Sequence, residues 1–553
     1  MAKTADRLQD RYWAADRLVG ALSVEEHYDG RRMLCFSQRP RTLTAMLDGL
    51  VQRFPARPAI VVDERRLSYA ELDGIVAALA AGLAAQGISA GDRVALFLGN
   101  CWEFLALVLA CCRLGAIVVP IGTRQRRAEL EFLLNDCGAK ALVFEAALAG
   151  AVPPRDAVNE PPRLFAAHGD AGAAQPFSTL LASPAPARPA AAISEEDTAV
   201  ILYTSGTTGR PKGARLTHLG IIHSALTFAR CHGLTEQDRA LVAVPLAHVT
   251  GLVGVSLAQM IVGGAVVLMR RDYKTPEFLE LASRERITYS ILVPAIYTLC
   301  ALSPELDRYD LSAWRIGCFG GAPMPVSTIE LLAQKLPRLQ LLNAYGATET
   351  TSPTTIMPRS CWREHMDSVG QVVPCGEVKV LDENGEPVPP GAPGELWIAG
   401  PMVVPGYWSR PDANASEFAH GFWRSGDIGS RDAAGFVRVF DRRKDMINRA
   451  GFKVFSAEVE NVLSGLAGVL ECAIIGYPDA VLGERVHAFV VPREDAGLTV
   501  EAIRSYCAER LADYKVPETV TIESQPLPRN ANGKIQKPIL RQRLAAAIKD
   551  GAR

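Results

Sequence analysis

The residues best able to do chemistry together lie in one run, Ala199–Ala214, which reads AVILYTSGTTGRPKGA. A β-branched, apolar stretch leads into Thr204, Ser205, Gly206, Thr207, Thr208, Gly209, Arg210, Pro211, Lys212 and Gly213. Glycines let backbone N–H groups turn toward an anion, hydroxyls add donors, and Lys212 adds charge. That combination is the chemistry of a polyphosphate cradle. It is not a Walker A loop, which needs Gly-Lys-Ser/Thr in succession. An ordinary Gly/Thr-rich loop shares single features of this run, whereas the full combination of hydroxyls, glycines and two cations is far more specific.

Such a loop needs strands and helices to hold it. Short β-branched runs recur from Arg93 to Pro294 (RVALFL, AVILYT, LVAVPL, AVVLM, YSILVP), beside segments of helical period at Leu72–Gln86, Ala128–Asp136 and Pro276–Glu285. This rhythm predicts an α/β fold with largely parallel strands. Asn100 followed by Glu103 predicts an N-cap with a capping box, and Gly115 a C-terminal cap. Phe104–Pro120 and Val249–Met269 are apolar but interrupted, and each is expected to be a buried helix leading into a buried strand rather than a membrane span. From about Gly376 the pattern turns to hairpins, with Asn384–Gly385 a strong turn signal and GELWIAG and GFVRVFDR as further strands. The Ala/Pro-rich tract between about Ala146 and Ala192 is expected to be a surface connection. After Asp441–Asp445 (DRRKD) an α+β pattern begins, with helices near Ser456–Leu466 and Val500–Leu511 and strands CAIIGYP and VHAFVV.

The 553 residues exceed what one core serves, and 48% hydrophobic composition supplies well-packed cores. With 59 basic against 60 acidic residues, no bulk charge points to nucleic acid or an anionic membrane. The 12 cysteines are scattered without a CxxC, as free thiols in a reducing cytosol would be. Neither terminus shows a signal-peptide or lipidation pattern, so a cytoplasmic protein without a transmembrane segment is expected. Oligomeric state leaves no signature.

The phosphate run resembles the signature loop of the adenylate-forming superfamily, which includes acyl-CoA synthetases, peptide-synthetase adenylation domains and firefly luciferase. Further motifs match in order: PLAH at Pro245–His248, GGAPMP at Gly320–Pro325, NAYGATET at Asn343–Thr350 and SGD at Ser425–Asp427. DRRKDMINRAGFKVFSAEVE at Asp441–Glu460 and LPRNANGKIQK at Leu527–Lys537 complete the series. The resemblance implies a large N-terminal ATP- and acyl-binding domain, 1–443, built of layered α/β subdomains plus a small β region. A small mobile α+β domain, 444–553, would rotate between half-reactions.

In that family a carboxylate attacks the α-phosphate of ATP, giving an acyl-adenylate and pyrophosphate; a thiol then displaces AMP. Charge builds on phosphate while two anions meet, so cations and N–H donors are needed and a protein nucleophile is not. The resemblance makes Thr204, Ser205, Gly206, Thr207, Thr208 and Lys212 the phosphate loop, and Thr348 a donor to the α-phosphate. Glu349 suits Mg²⁺, which prefers carboxylate and phosphate oxygens. Gly321, Ala322, Asn343 and Tyr345 would surround adenine, Asp427 would accept from the ribose hydroxyls, and Arg442 would contact the ribose. Lys534, on the tight Asn532–Gly533 loop, becomes the adenylation lysine, Lys444 the hinge, and Gly451 part of the thiol channel. His248 would stand at the acyl-pocket wall. Taken singly, His248 and Tyr345 also read as core residues, Asp427 as a turn, and Lys444 and Lys534 as surface charge.

The pocket segments implied by resemblance, Val249–Gly254, Val293–Tyr297 and Gly317–Gly320, are mainly apolar and small. Without a basic or acidic partner they favour an aliphatic or aromatic monocarboxylic acid over a dicarboxylate or an amino acid. Ala247 stands where relatives often carry an aromatic residue, which implies extra space. Asn448 and Ala450 replace a frequent lysine or glycine, and Ser456 a frequent proline. The reading is a carboxylate–CoA ligase using ATP, Mg²⁺ and coenzyme A. Its alternatives are an enzyme that loads a carrier protein and a noncatalytic nucleotide-binding homologue.

Overall fold

The structure is a computed structural model and describes residues 11–13, 19–28, 30–182, 192–204, 211–270, 272–322, 324–479, 481–493, 496–529 and 535–551. The predicted strands fall into two large sheets. Seven strands run in the order Lys212–Thr217, Thr198–Thr204, Ile117–Pro120, Arg93–Phe97, Ala139–Glu145, Arg163–Ala167, Gln175–Pro176. All neighbours are parallel except the first pair, which is antiparallel.

The second sheet has 14 strands. Its parallel centre is Pro58–Val62, Ala265–Leu268, Arg239–Val242, Tyr289–Leu292, Ile316–Gly320 and Gln340–Tyr345. Antiparallel strands extend it from Thr355–Ile356 through Gly370–Val372, Phe436–Arg442 and Phe422–Arg431 to Gly394–Ala399 and Glu377–Leu381. Strands covered on both faces read as continuous apolar runs, as these do. The helices that cover them are correspondingly apolar: in His218–His232 every residue but Arg230 is buried. One contiguous apolar core joins both sheets.

A smaller α+β unit follows. Its sheet pairs Phe452–Val454, Ile447–Arg449, Gly483–Pro492 and Val469–Asp479, with Thr519–Ile522 parallel to Gly483–Pro492. Helices Ser456–Ser464, Val500–Ala508 and Lys537–Gly551 belong to it. Its apolar clusters, around Ile447, Val459, Ile474 and Ile503 and around Phe489 and Leu540, are separate from the large core. The fold is thus a large α/β domain followed by a small α+β domain. Among the described residues, no helix is long and apolar enough to cross a membrane.

Three local expectations change. Cys101, not Asn100, is the N-cap of helix Trp102–Leu114, and Glu103 meets His168 Nε2 at 3.0 Å instead of closing a capping box. Gly115 does cap the other end, at φ +78. The Ala/Pro-rich tract carries Arg163–Ala167, whose apolar LFAA extends the seven-stranded sheet; its residues 183–191 lie outside the described residues. Gly385 turns at φ +85 with the Asp382 carboxylate accepting from the Asn384 N–H at 2.8 Å. The full partner of Glu377–Leu381, however, is Gly394–Ala399, reached after a second turn at Gly391.

Candidate active site

The antiparallel register pairs Thr204 with Lys212, which brings the two ends of the phosphate loop side by side. Gly213 is sterically required there, because a Cβ would lie 2.7 Å from Ile201 Cγ2. The loop tip, with Ser205, Gly206, Thr207 and Thr208, lies outside the described residues. Lys212 is buried, its Nζ 4.5 Å from the centre of the Tyr407 ring and paired with Glu417.

Strand Gln340–Tyr345 delivers the second group of residues. The turn Thr348–Thr350 follows it and buries Glu349, whose Oε1 accepts from the Tyr407 hydroxyl at 3.0 Å and from Thr204 Oγ1 at 3.4 Å. Asn343 Nδ2 donates to the Ser368 carbonyl at 3.1 Å. The neighbouring strand ends at Gly320, where a Cβ would meet the Ala344 oxygen at 2.3 Å, and Gly321 follows at φ +77 with Ala322 exposed beyond it.

Asp427 and Arg442 face one another across Phe422–Arg431 and Phe436–Arg442. Arg442 Nε lies 2.7 Å from Asp427 Oδ1, and the Tyr345 hydroxyl donates to Asp427 Oδ2 at 2.5 Å. Burial and then the Asp427 charge push the Tyr345 phenol well up, keeping it a neutral donor. Burial opposes the Arg442 charge, but the carboxylates around it, Asp427 first, outweigh that and raise its pKa. Both carboxylate oxygens are therefore oriented by fixed donors. Thr204, Lys212, Glu349, Tyr345, Asp427 and Arg442 form one connected region.

His248 follows the Pro245–Leu246 loop and opens a helix, its carbonyl accepting from Leu252 N–H at 3.0 Å. Asn100, released from helix capping, holds that loop. Its Oδ1 accepts from Leu246 N–H at 2.9 Å, and its Nδ2 donates to the Val244 carbonyl at 3.1 Å. A wide π-helical segment, Thr250–Leu257, continues from His248, with the Tyr289 hydroxyl on the Gly254 carbonyl at 2.9 Å.

The remaining residues lie toward the small domain. Lys444 is exposed, and its carbonyl accepts from Arg541 at 3.5 Å. Gly451 is exposed at φ +86, its N–H donating to Asn448 Oδ1 at 3.1 Å. Ser456 uses the N–H that a proline would lack to reach Asp441 Oδ2 at 2.5 Å. Lys534 lies outside the described residues, but the stem of its loop is visible as the Arg529–Ile535 bridge. Glu471 accepts from Leu527 N–H at 2.7 Å, and Lys537 lies 2.8 Å from Glu460. Tyr407 and Glu417 escaped the sequence reading, and Asn100 was read only as a helix cap; the segment GYWSRPDANASEF, between two quoted motifs, carries the signal for Tyr407 and Glu417.

Comparison with known proteins gives the family. The AMP-binding enzyme family matches residues 47–408 and its C-terminal domain matches residues 458–534. The chain belongs to the AMP-binding enzyme family. It is 37% identical over 478 residues to feruloyl-CoA synthase of an Amycolatopsis species, covering 86% of this chain and 94% of that one. It is 34% identical over 483 residues to a long-chain-fatty-acid–CoA ligase of Mycobacterium tuberculosis, covering 87% and 94%. The anthranilate CoA ligase AuaEII, solved in complex with anthranoyl-AMP, superposes with a TM-score of 0.86 at 25% identity, covering 92% of this chain and 98% of that one.

Proposed function

We infer that the protein is an ATP-dependent carboxylate–CoA ligase, an AMP-forming acyl-CoA synthetase acting on a fatty or aromatic monocarboxylic acid. A carboxylate oxygen attacks the α-phosphorus and pyrophosphate leaves. The sulfur of coenzyme A then attacks the acyl carbon, and AMP leaves as the thioester forms. The observation that carries this reading is the contact of Thr204, paired with Lys212, to Glu349, four residues beyond the Tyr345 that is held with Arg442 on Asp427. Named relatives that act on feruloyl and long-chain fatty groups support the substrate class.

The residues take these roles. The phosphate loop, Thr204–Thr208 with Lys212, holds the polyphosphate, and Thr348 donates to the α-phosphate. Asp427 and Arg442 orient the ribose, while Gly321, Ala322, Asn343 and Tyr345 surround adenine. His248 lines the acyl pocket, and Lys534 bridges the acid and the α-phosphate during adenylation. Glu349 is a fitting ligand for magnesium, since among the described residues its buried carboxylate accepts from the neutral hydroxyls of Tyr407 and Thr204. Magnesium bound there would neutralise charge on the phosphates. We take 1–443 and 444–553 as the two domains, with rotation about Lys444 withdrawing Lys534 and bringing Gly451 to the thiol channel. The 12 free thiols suit a cytoplasmic setting.

The test is pyrophosphate release with ATP, Mg²⁺ and a panel of fatty and aromatic acids, with and without coenzyme A. AMP and acyl-CoA in equal amounts are the expected products. Adenylate that never transfers to coenzyme A would redirect the reading to a carrier-protein acceptor. ATP binding without turnover on any acid would favour a noncatalytic homologue.

A further inference from the structure

Between the phosphate loop and Glu349 lies a polar chain that none of the roles above uses. Segment Gly406–Trp408 runs alongside Lys212–Thr217 as a short extra strand: Arg215 N–H donates to the Gly406 carbonyl at 3.2 Å and Trp408 N–H to the Gly213 carbonyl at 2.7 Å. Asn414 clamps Tyr407 from both sides, Oδ1 accepting from its N–H at 2.6 Å and Nδ2 donating to its carbonyl at 3.1 Å. The ring is buried and meets Phe418 edge-on at 5.5 Å. Its hydroxyl then stands between two carboxylates, 2.7 Å from Glu417 Oε2 and 3.0 Å from Glu349 Oε1.

A phenol has one proton to donate, so it cannot satisfy both acids at once. Glu417 has a second partner, the Lys212 ammonium, which also rests over the Tyr407 ring. Among the described residues, the other side chain on Glu349 is Thr204, at the longer distance of 3.4 Å. Among the described residues of this chain of contacts, one ammonium serves two carboxylates, and the one it touches is Glu417. A cation at Glu349 removes that shortage and frees the phenolic proton for Glu417.

We propose that Tyr407 and Glu417 are positioning residues for the magnesium–ATP complex: Glu417 fixes the Lys212 ammonium at the end of the phosphate loop, and the Tyr407 hydroxyl ties that carboxylate to Glu349. This rests on the functional reading above and names two residues that act through Lys212 and Glu349 rather than touching substrate. Loss of the hydroxyl lets Glu349 turn away from the cation. Loss of the Glu417 charge leaves a buried ammonium without its counterion, which weakens its hold on phosphate.

The test uses the full chain and two shape-conserving variants. Tyr407→Phe keeps the ring over Lys212 and against Phe418, and Glu417→Gln keeps the side-chain length. Tyr407→Phe is expected to raise about tenfold the Mg²⁺ concentration that half-saturates equilibrium ATP binding, read by calorimetry without acid, and likewise that for turnover, at the low end of what outer partners of metal ligands contribute. Glu417→Gln is expected to raise KM for ATP by about tenfold, the scale of one charge-assisted contact. In both, KM for the acid and the rate of thioester formation from isolated acyl-adenylate should stay at wild-type values. The double variant should cost less than the product of the two, because both act on one chain of contacts. Wild-type profiles for ATP and Mg²⁺ in the variants would overturn the proposal while leaving the ligase reading intact. Equal loss in both half-reactions would do the same by showing a merely structural role. A wild-type chain that forms no AMP would overturn both.

Discussion

The proposed nucleotide side of the site and the segment after Arg442 are built differently. On the first, Asp427 is 3% exposed and Glu349 8%, and each is hydrogen-bonded to a side chain more than 50 residues away in sequence. On the other side Lys444, Ala450 and Gly451 stand in solvent and Phe452 is 55% exposed, stacked on Tyr514 within its own domain. Charge stabilisation demands donors and carboxylates held in place before the reaction begins. A segment that must enter and leave needs few buried contacts to break. The contrast therefore separates what both half-reactions share from what each uses alone, and substitutions on the two sides should divide accordingly.

The largest effect is expected at Lys534. Lys534→Ala should slow adenylation by about a thousandfold, the scale of losing one group aimed at developing charge. Thioester formation from supplied acyl-adenylate should change less than about threefold, because uniform transition-state losses in one step do not carry into the other. Single-turnover assays of each half-reaction decide this; equal losses in both would break the contrast. Asp427→Ala comes next. It removes a charged acceptor whose two oxygens are held by Arg442 and Tyr345. KM for ATP should rise on the order of a hundredfold, as expected for two charge-assisted hydrogen bonds, with KM for the acid unchanged.

The two sides also differed in how far the sequence disclosed them. Each motif named itself through local composition, and parallel strands and covering helices followed from runs of one polarity. What stayed hidden are contacts between segments far apart in the chain. Lys212 meets Glu417 across 205 residues, and Asn100 meets Leu246 across 146. Asn100 had a plausible local partner in Glu103, three residues on, and the tertiary contact displaced it because the loop before His248 supplies a carbonyl and an amide at once. Arg163–Ala167 was obscured by the alanines and prolines around it, although only four apolar residues in a row are needed to join a sheet edge.

Acid should distinguish the two domains by stability. Burial pushes His218 down to about 4 and His223 and His232 down to about 3, all on one helix of the large domain. His223 Nε2 accepts from Phe36 N–H at 3.2 Å, and His218 Nδ1 accepts from Leu43 N–H at 3.3 Å, so protonation breaks contacts as well as burying charge. The small domain has one counterpart, His487, pushed down to about 4. With folded values depressed, the unfolded chain binds protons first below about pH 6.5. Stability is complete above that pH and is lost progressively toward pH 4. Thermal unfolding followed at pH 7.5, 6 and 5 should show the large domain's transition falling faster; parallel shifts would contradict this account. A smaller change is expected from Ala247→Phe, which restores an aromatic residue before His248. Activity on the bulkiest acids should fall roughly tenfold relative to the smallest, within the range a hydrophobic pocket commands. An unchanged profile would remove the idea of added space there.

The smallest expected effect bears most directly on the segment proposed to move. Ala450 sits at φ +51, beside Gly451 at φ +86, and its N–H donates to the Leu482 carbonyl at 2.7 Å. An alanine held in the left-handed region costs about 1–2 kcal/mol relative to its ordinary conformations. Glycine avoids that cost but loses more chain entropy on folding, about 0.5–1 kcal/mol. Ala450→Gly should therefore stabilise the small domain by about 0–1.5 kcal/mol, read as a rise of at most a few degrees in its melting transition. Adenylation should be unaffected, since the residue lies away from Glu349 and Asp427 in the chain of contacts. The thioester step should respond, because the turn through Gly451 then moves more freely into position. A change in adenylation without a change in thioester formation would mean that this turn serves the nucleotide side after all, and the division between the two halves of the site would have to be redrawn.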